Sequence, residues 1–179
     1  RDQAVLLRYD VNTEKKVEDD LSIQLQRVYS MDYIDPRTLL LSASSRGFSD
    51  LFLYNINARQ PRNLTNDYYD DLDAKFVKIG NRDGVIWSSN RPDSLVERTK
   101  MDSLPAIQNF DLFYYDLKER GNEAVRITDT PFANERQGIM IDTTNFSYLS
   151  DENGIYNRYV GHLEEYIASY EQIIELTDG

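Results

Sequence analysis

One short phrase occurs three times in this chain, and that repetition constrains the fold more than any other feature. It reads Arg62-Asn63-Leu64-Thr65-Asn66-Asp67, then Val125-Arg126-Ile127-Thr128-Asp129-Thr130, then Ile174-Glu175-Leu176-Thr177-Asp178-Gly179. Upstream of each stands an aromatic-rich run, at residues 50–56, 111–117 and, more weakly, 157–163; a fourth copy opens the chain at 5–11, followed by 17–20. Earlier in each unit come two further runs joined by a polar turn. These are 28–34 and 39–42 across Asp35-Pro36-Arg37-Thr38, 76–79 and 85–89 across Gly80-Asn81-Arg82-Asp83-Gly84, and 138–141 and 146–150 across Asp142-Thr143-Thr144-Asn145. Each complete unit therefore reads as four short strands.

The strand assignment rests on residue chemistry. The runs are rich in Val, Ile, Leu, Tyr and Phe and bounded by Gly, Pro, Asn and Asp, the punctuation of strands and tight turns. Asp83-Gly84 and Asn153-Gly154 supply residues that tolerate positive φ, as tight connections in an antiparallel meander require. Four antiparallel strands in about 45 to 50 residues is the content of a propeller blade, whereas a sandwich would not repeat its sequence at a fixed period. The expected fold is all-β, with β-propeller blade portions at about 1–22, 23–67, 68–131 and 132–179. Propellers close with about four to eight blades, and an open fan leaves strand edges unprotected. Three and a half blades are thus expected to be part of a larger propeller, and a first residue of Arg1 rather than Met agrees.

One unit is expanded: Ser42 to Asp50 spans 8 positions, while Ser88 to Asp111 spans 23. The insertion, 94–109, includes Arg98, Lys100, Asp102 and Pro105 and is expected to be an exposed excursion, a common place for binding function. Leu163, Tyr166, Ile167, Tyr170, Ile173 and Ile174 show helical spacing, which predicts a short helix or irregular connection before a final strand.

The run Ser44 to Ile56, the Arg62-Asn-Leu-Thr that follows, and a hairpin before Ile86-Trp87-Ser88-Ser89-Asn90-Arg91 resemble the WD-like propeller repeat of TolB-type proteins over nearly the whole chain. The usual Ser-Pro-Asp-Gly turn is replaced by the three turn sequences quoted above. The resemblance implies a non-catalytic protein-interaction scaffold, with a protein partner in a bacterial envelope complex and a periplasmic or otherwise extracytoplasmic location. The same repeats also resemble the propellers of dipeptidyl-peptidase and prolyl-oligopeptidase-like serine peptidases. That alternative places a catalytic domain outside this chain.

Composition narrows the chemistry. A net charge of −11 argues against nucleic-acid binding by phosphate neutralisation. No stretch approaches about 18 consecutive apolar residues, so no direct membrane insertion is expected. With no Cys and one His, His162, thiolate and His-rich metal sites fall away, and a Ser-His-Asp triad would rest on that single residue. There is no Gly-x-Ser-x-Gly, phosphate loop, His-Glu-x-x-His or dinucleotide fingerprint. No catalytic residue and no cofactor are expected.

The densest charge cluster is Asp67-Tyr68-Tyr69-Asp70-Asp71-Leu72-Asp73. Its carboxylates suit Ca²⁺ as hard oxygen ligands, although the spacing is not that of an EF-hand; the structural reading has Asp71 and Asp73 capping turn amides. As a recognition loop, Tyr68, Tyr69, Asp70, Asp71 and Asp73, together with Arg98 and Lys100 of the insertion, are the candidate partner-binding residues, since Tyr gives large amphipathic contact area at low entropy cost. Recurrence assigns structural roles to Thr65, Thr128 and Thr177, and to the loops Ser45-Arg46, Asn90-Arg91-Pro92-Asp93 and Asp151-Glu152-Asn153. A small-ligand propeller would use Trp87 and Tyr69 as platforms, but the mid-strand position of Trp87 assigns it to the core.

Overall fold

Leu39-Leu40-Leu41, Val85-Ile86-Trp87 and Leu112-Phe113-Tyr114 are unbroken apolar runs. Successive side chains of a strand point to opposite faces, so such runs need cover on both sides. The computed structural model, which describes residues 4–97, 108–119 and 121–164, supplies that cover by stacking four antiparallel sheets face to face. The first pairs β1 (Val5–Asp10) with β2 (Lys15–Asp20). The second is the meander β3 (Arg27–Asp35), β4 (Thr38–Ser45), β5 (Phe48–Asn55) and β6 (Gln60–Asn63). The third is β7 (Asp71–Ile79), β8 (Arg82–Ser89), β9 (Asp111–Asp116) and β10 (Val125–Arg126), and the fourth is β11 (Glu135–Met140), β12 (Asn145–Ser150) and β13 (Asn157–His162). The described residues contain no helix, and none is long and apolar enough to cross a membrane.

Three apolar layers separate the sheets. Leu6, Leu21 and Leu25 meet Leu39, Leu41, Phe52 and Tyr54 in the first. Leu40 and Leu51 meet Val85, Trp87 and Phe113 in the second, and Ile86, Leu112 and Tyr114 meet Phe146 in the third. Adjacent residues of one strand thus enter different layers. The first strands of the larger sheets also touch one another, β3 against β7 and β7 against β11.

The recurrent residues make recurrent bonds. Leu51 N donates to Thr65 Oγ1 at 2.9 Å and Leu112 N to Thr128 Oγ1 at 2.8 Å, each just past a fourth strand shorter than its phrase suggests. Ile56 N to Arg37 O, Leu117 N to Asp83 O and Leu163 N to Thr144 O repeat one contact between neighbouring hairpin turns in three sheets. The turns after β1, β5 and β9 are closed by Asp10, Asn55 and Asp116, each accepting from an amide two residues on. In the sequence His162 holds the corresponding place, and its Nδ1 lies 2.8 Å from Asn145 Oδ1.

Two expectations change. Asp83-Gly84 is not the positive-φ turn: Gly80 takes φ 56°, and Gly84 lies within β8, where the Tyr114 ring occupies the space of a Cβ. The start of the 94–109 insertion is not an exposed excursion. Val96 is buried in the second layer, its amide bonds Asn122 O at 2.8 Å, and its carbonyl accepts from Asn66 N at 2.9 Å, so the segment stitches two sheets together. Residues 98–107 lie outside the described residues, as do the helical spacing and final strand expected within 165–179, Thr177 included.

Gly84→Ala forces the Tyr114 ring out of its place. Overpacking of this kind costs about 1–3 kcal/mol, measurable as a lower midpoint in denaturant unfolding with an unchanged slope.

Candidate functional site

The acidic run 67–73 folds inward. Asp71 opens β7 and pairs across the ladder with Ser89, the last residue of β8; the chain then turns, and Arg91 comes back over the same strand ends. Arg91 Nη2 lies 2.8 and 2.7 Å from the two Asp71 oxygens and 3.0 Å from Asp67 Oδ2. Nη1 donates to Leu95 O at 2.5 Å, and Nε donates to Ser89 Oγ at 2.9 Å. Trp87 Nε1 donates to Asp71 Oδ1 at 2.9 Å, and the guanidinium carbon stands 5.5 and 5.6 Å from the Trp87 and Phe113 ring centres. All three charged side chains are out of solvent.

Asp50 completes the cluster: its carboxylate, with those of Asp67 and Asp71, places oxygens within 4.8 Å of one another. Three buried carboxylates face one guanidinium. Burial pushes Asp50 up to about 7, with the Asp71 and Asp67 charges adding to the effect and the Asp67 amide opposing it. Burial likewise pushes Asp67 up to about 7, reinforced by Asp71 and opposed by Arg91. Burial alone would lower Arg91; Asp71 and Asp67 more than reverse that. For Ca²⁺, which takes six to eight oxygens at about 2.3–2.6 Å, this donor set is poor, because Arg91 already occupies the place between Asp67 and Asp71.

An open cavity of about 500 Å³ lies above this cluster, with Asp50 and Asp67 in its lining, Phe48 and Tyr68 among its walls, and Arg46 and Glu97 also in the lining. The Phe48 and Tyr68 rings meet edge to face at 5.2 Å between centres. A second buried acidic group repeats the arrangement one sheet on. There Asp111 stands where Asp50 does, Glu135 opens β11 as Asp71 opens β7, and Arg126 binds Asp111 through Nε and Nη2. Burial raises both Asp111 and Glu135.

The sequence-predicted residues therefore scatter. Tyr68 is half-buried against Phe48, Tyr69 is buried, and Asp70 is exposed with its amide bonded to Asn90 Oδ1 at 2.8 Å. Asn134 N makes the same bond to Asp151 Oδ1 at 2.6 Å, so the recurrent loops do fix strand ends. Two assignments are corrected: Asp71 caps no turn but anchors Arg91 and Trp87, and Asp73 reaches the next sheet, binding Arg136 Nε at 2.6 Å. The run is consequently not one exposed acidic patch, because burial of its apolar neighbours carries alternate carboxylates inside. Arg98 and Lys100 lie outside the described residues. Asp50 and Arg91 escaped sequence reasoning as site residues; the recurrence of Asp50 as Asp111 was the available signal for the first.

Arg91→Leu leaves Asp71 and Asp67 buried without their cation, a loss of about 3–5 kcal/mol, read by chemical denaturation. Asp50 and Asp67 keep protons to about pH 7 when folded but only to about pH 4 when unfolded. The folded state binds more protons in that window, so stability falls as pH rises through it. Melting between pH 5 and pH 8 is expected to show this fall, and Asp50→Asn to flatten it.

Comparison with models of known protein families, and with curated proteins, finds no match to this chain.

Proposed function

We propose that this chain is a non-catalytic protein-interaction scaffold, part of a larger TolB-like β-propeller, working with a protein partner in an extracytoplasmic envelope complex. The observation that carries the binding role is the exposure of large apolar side chains at one end of the sheet stack. At the other end the hairpin turns are closed by Asp and Asn side chains, with Val11 and Ile141 exposed beside them. At the end formed by the connections between second and third strands and between sheets, the exposed apolar side chains are the largest. Phe132 is 96% exposed, Ile23 85%, Ile155 67% and Tyr156 53%. Phe132 also takes φ 63°, a conformation that costs a bulky residue energy and clusters at functional sites.

The propeller part of the reading is supported by what the repeat leaves uncovered. Aligning Asp10 with Asn55 places Leu7 and Tyr9 on Phe52 and Tyr54. The former pair are 55% and 53% exposed, the latter 3% and 1%. Aligning His162 with Asp116 places Val160, 67% exposed, on Tyr114, 9% exposed. Both outer faces thus present the apolar side chains that a neighbouring sheet covers elsewhere in the stack, as a closed ring would require. Arg91 is engaged with Asp71 and Asp67, and Arg136 with Asp73 of the neighbouring sheet, which suits a rigid display surface.

The test replaces Phe132, Ile155 and Tyr156 by Ala together. Exposed sites of this kind change stability by only about 0.5 kcal/mol each, so melting is expected to stay close to the parent. Capture of partner protein from an envelope extract is expected to drop at least tenfold, while replacing Asn57 and Lys118 at the hairpin end leaves it intact. Unchanged capture by the triple variant overturns the reading.

A further inference from the structure

We propose that the cavity over Asp50 receives a lysine or arginine side chain of the protein partner, an inference that rests on the scaffold reading above. The charge count is the starting point. Arg91 engages Asp71 and Asp67, and Asp50 carries no ion pair among the described residues. Among the described residues only one of its two carboxylate oxygens accepts a hydrogen bond, Oδ1 from the Asp67 amide at 3.3 Å. Asp50 is only 4% exposed, yet it lines the cavity, so a carboxylate oxygen with no hydrogen-bond partner among the described residues faces a space a ligand can enter.

The surroundings select the kind of cation. A bare divalent ion would find too few free oxygens, since Asp67 and Asp71 are held by Arg91 at 2.7–3.0 Å, and it would leave most of about 500 Å³ unfilled. A long side chain with a charged head fits better. Its stem can lie along Phe48 and Tyr68, whose edge-to-face rings offer both apolar contact and a cation–π surface. Its head then meets Asp50 Oδ2, with Glu97 at the rim and the charges of Asp67 and Asp71 behind. Arg46 is the opposing cation in the lining and is exposed, where solvent and salt screen it. The chain's net charge of −11 favours encounter with a basic partner before contact. Phe132, Ile155 and Tyr156 stand at the same end of the stack, ready for apolar residues of the same partner.

Titration of the whole chain by calorimetry at pH 8 with the tripeptide amides acetyl-Leu-Lys-Phe, acetyl-Leu-Arg-Phe and acetyl-Leu-Gln-Phe provides the test. The Lys and Arg peptides are expected to bind at least tenfold more tightly than the Gln peptide. Asp50→Asn is expected to remove that preference without lowering the melting temperature, because it deletes a buried unpaired charge. Equal binding of the three peptides, or an Asp50→Asn variant that keeps the preference, overturns the proposal; so does Ca²⁺ alone competing with the Lys peptide at micromolar concentration. The two readings fail separately. Partner capture that survives Asp50→Asn but not the Phe132/Ile155/Tyr156 replacement overturns the cation site and leaves the scaffold. A cation preference at Asp50, with capture indifferent to the triple replacement, overturns the scaffold.

Discussion

The contact of Arg91 with Asp71 is the interaction on which the middle of the structure depends. It lies at the junction of two sheets, under Trp87 and Phe113, and ties the end of β8 to the start of β7 and, through Leu95 O, to the segment that stitches the second sheet to the third. A buried ion pair is seldom a net source of stability, because desolvation consumes most of the attraction. What it supplies here is position. Asp71, fixed by Arg91 and Trp87, holds the first strand at its starting point, and its carbonyl receives the Ser42 hydroxyl of the neighbouring sheet at 2.6 Å.

Function in a repeated fold is most visible where the repeats differ. The threonine bonds, the Asx-closed turns and the turn-to-turn contacts recur because each sheet has the same strand ends to satisfy. The departures fall at the opposite end: an insertion in one unit, a bulky residue in a left-handed conformation at Phe132, a cavity over Asp50. The start of the insertion joins two sheets through Val96, but neither the left-handed Phe132 nor the cavity is needed to hold a four-stranded meander together. They are the places where the chain accepts strain or unpaired charge, which rigid sheets on either side make tolerable.

Among the described residues, strand order and approximate limits were legible in the sequence because alternation and turn chemistry are local properties. The antiparallel meanders followed from short polar connections. Less legible were features set by neighbours distant in sequence. Gly84 sits in a turn-like Asp-Gly pair, yet it is a strand residue whose missing side chain makes room for Tyr114, thirty positions on. The bulges at Asp73 and Gln137, with φ 57° and 55°, were likewise hidden, since neither residue type announces them. Of the candidate site, the acidic run was visible, but which of its members face inward was not.

Arg46 and Arg91 show where sequence stops and tertiary structure begins. Both follow the second strand of a four-stranded sheet, in Ser45-Arg46 and Asn90-Arg91, but Arg46 sits in a two-residue turn at φ 55° beside Gly47, while Arg91 opens a long connection. The strand opposite adds to that difference. Ser89 pairs with Asp71, so Arg91 turns inward to a carboxylate; Ser44 pairs with Arg27, a like charge, and Arg46 stays in solvent at the cavity rim. The sequence alone determined an all-β chain of repeated four-strand units, because periodicity and turns act within a few residues. Only the stacked sheets decided which charges are buried, paired or left facing the cavity, because electrostatic partners are chosen by proximity in space.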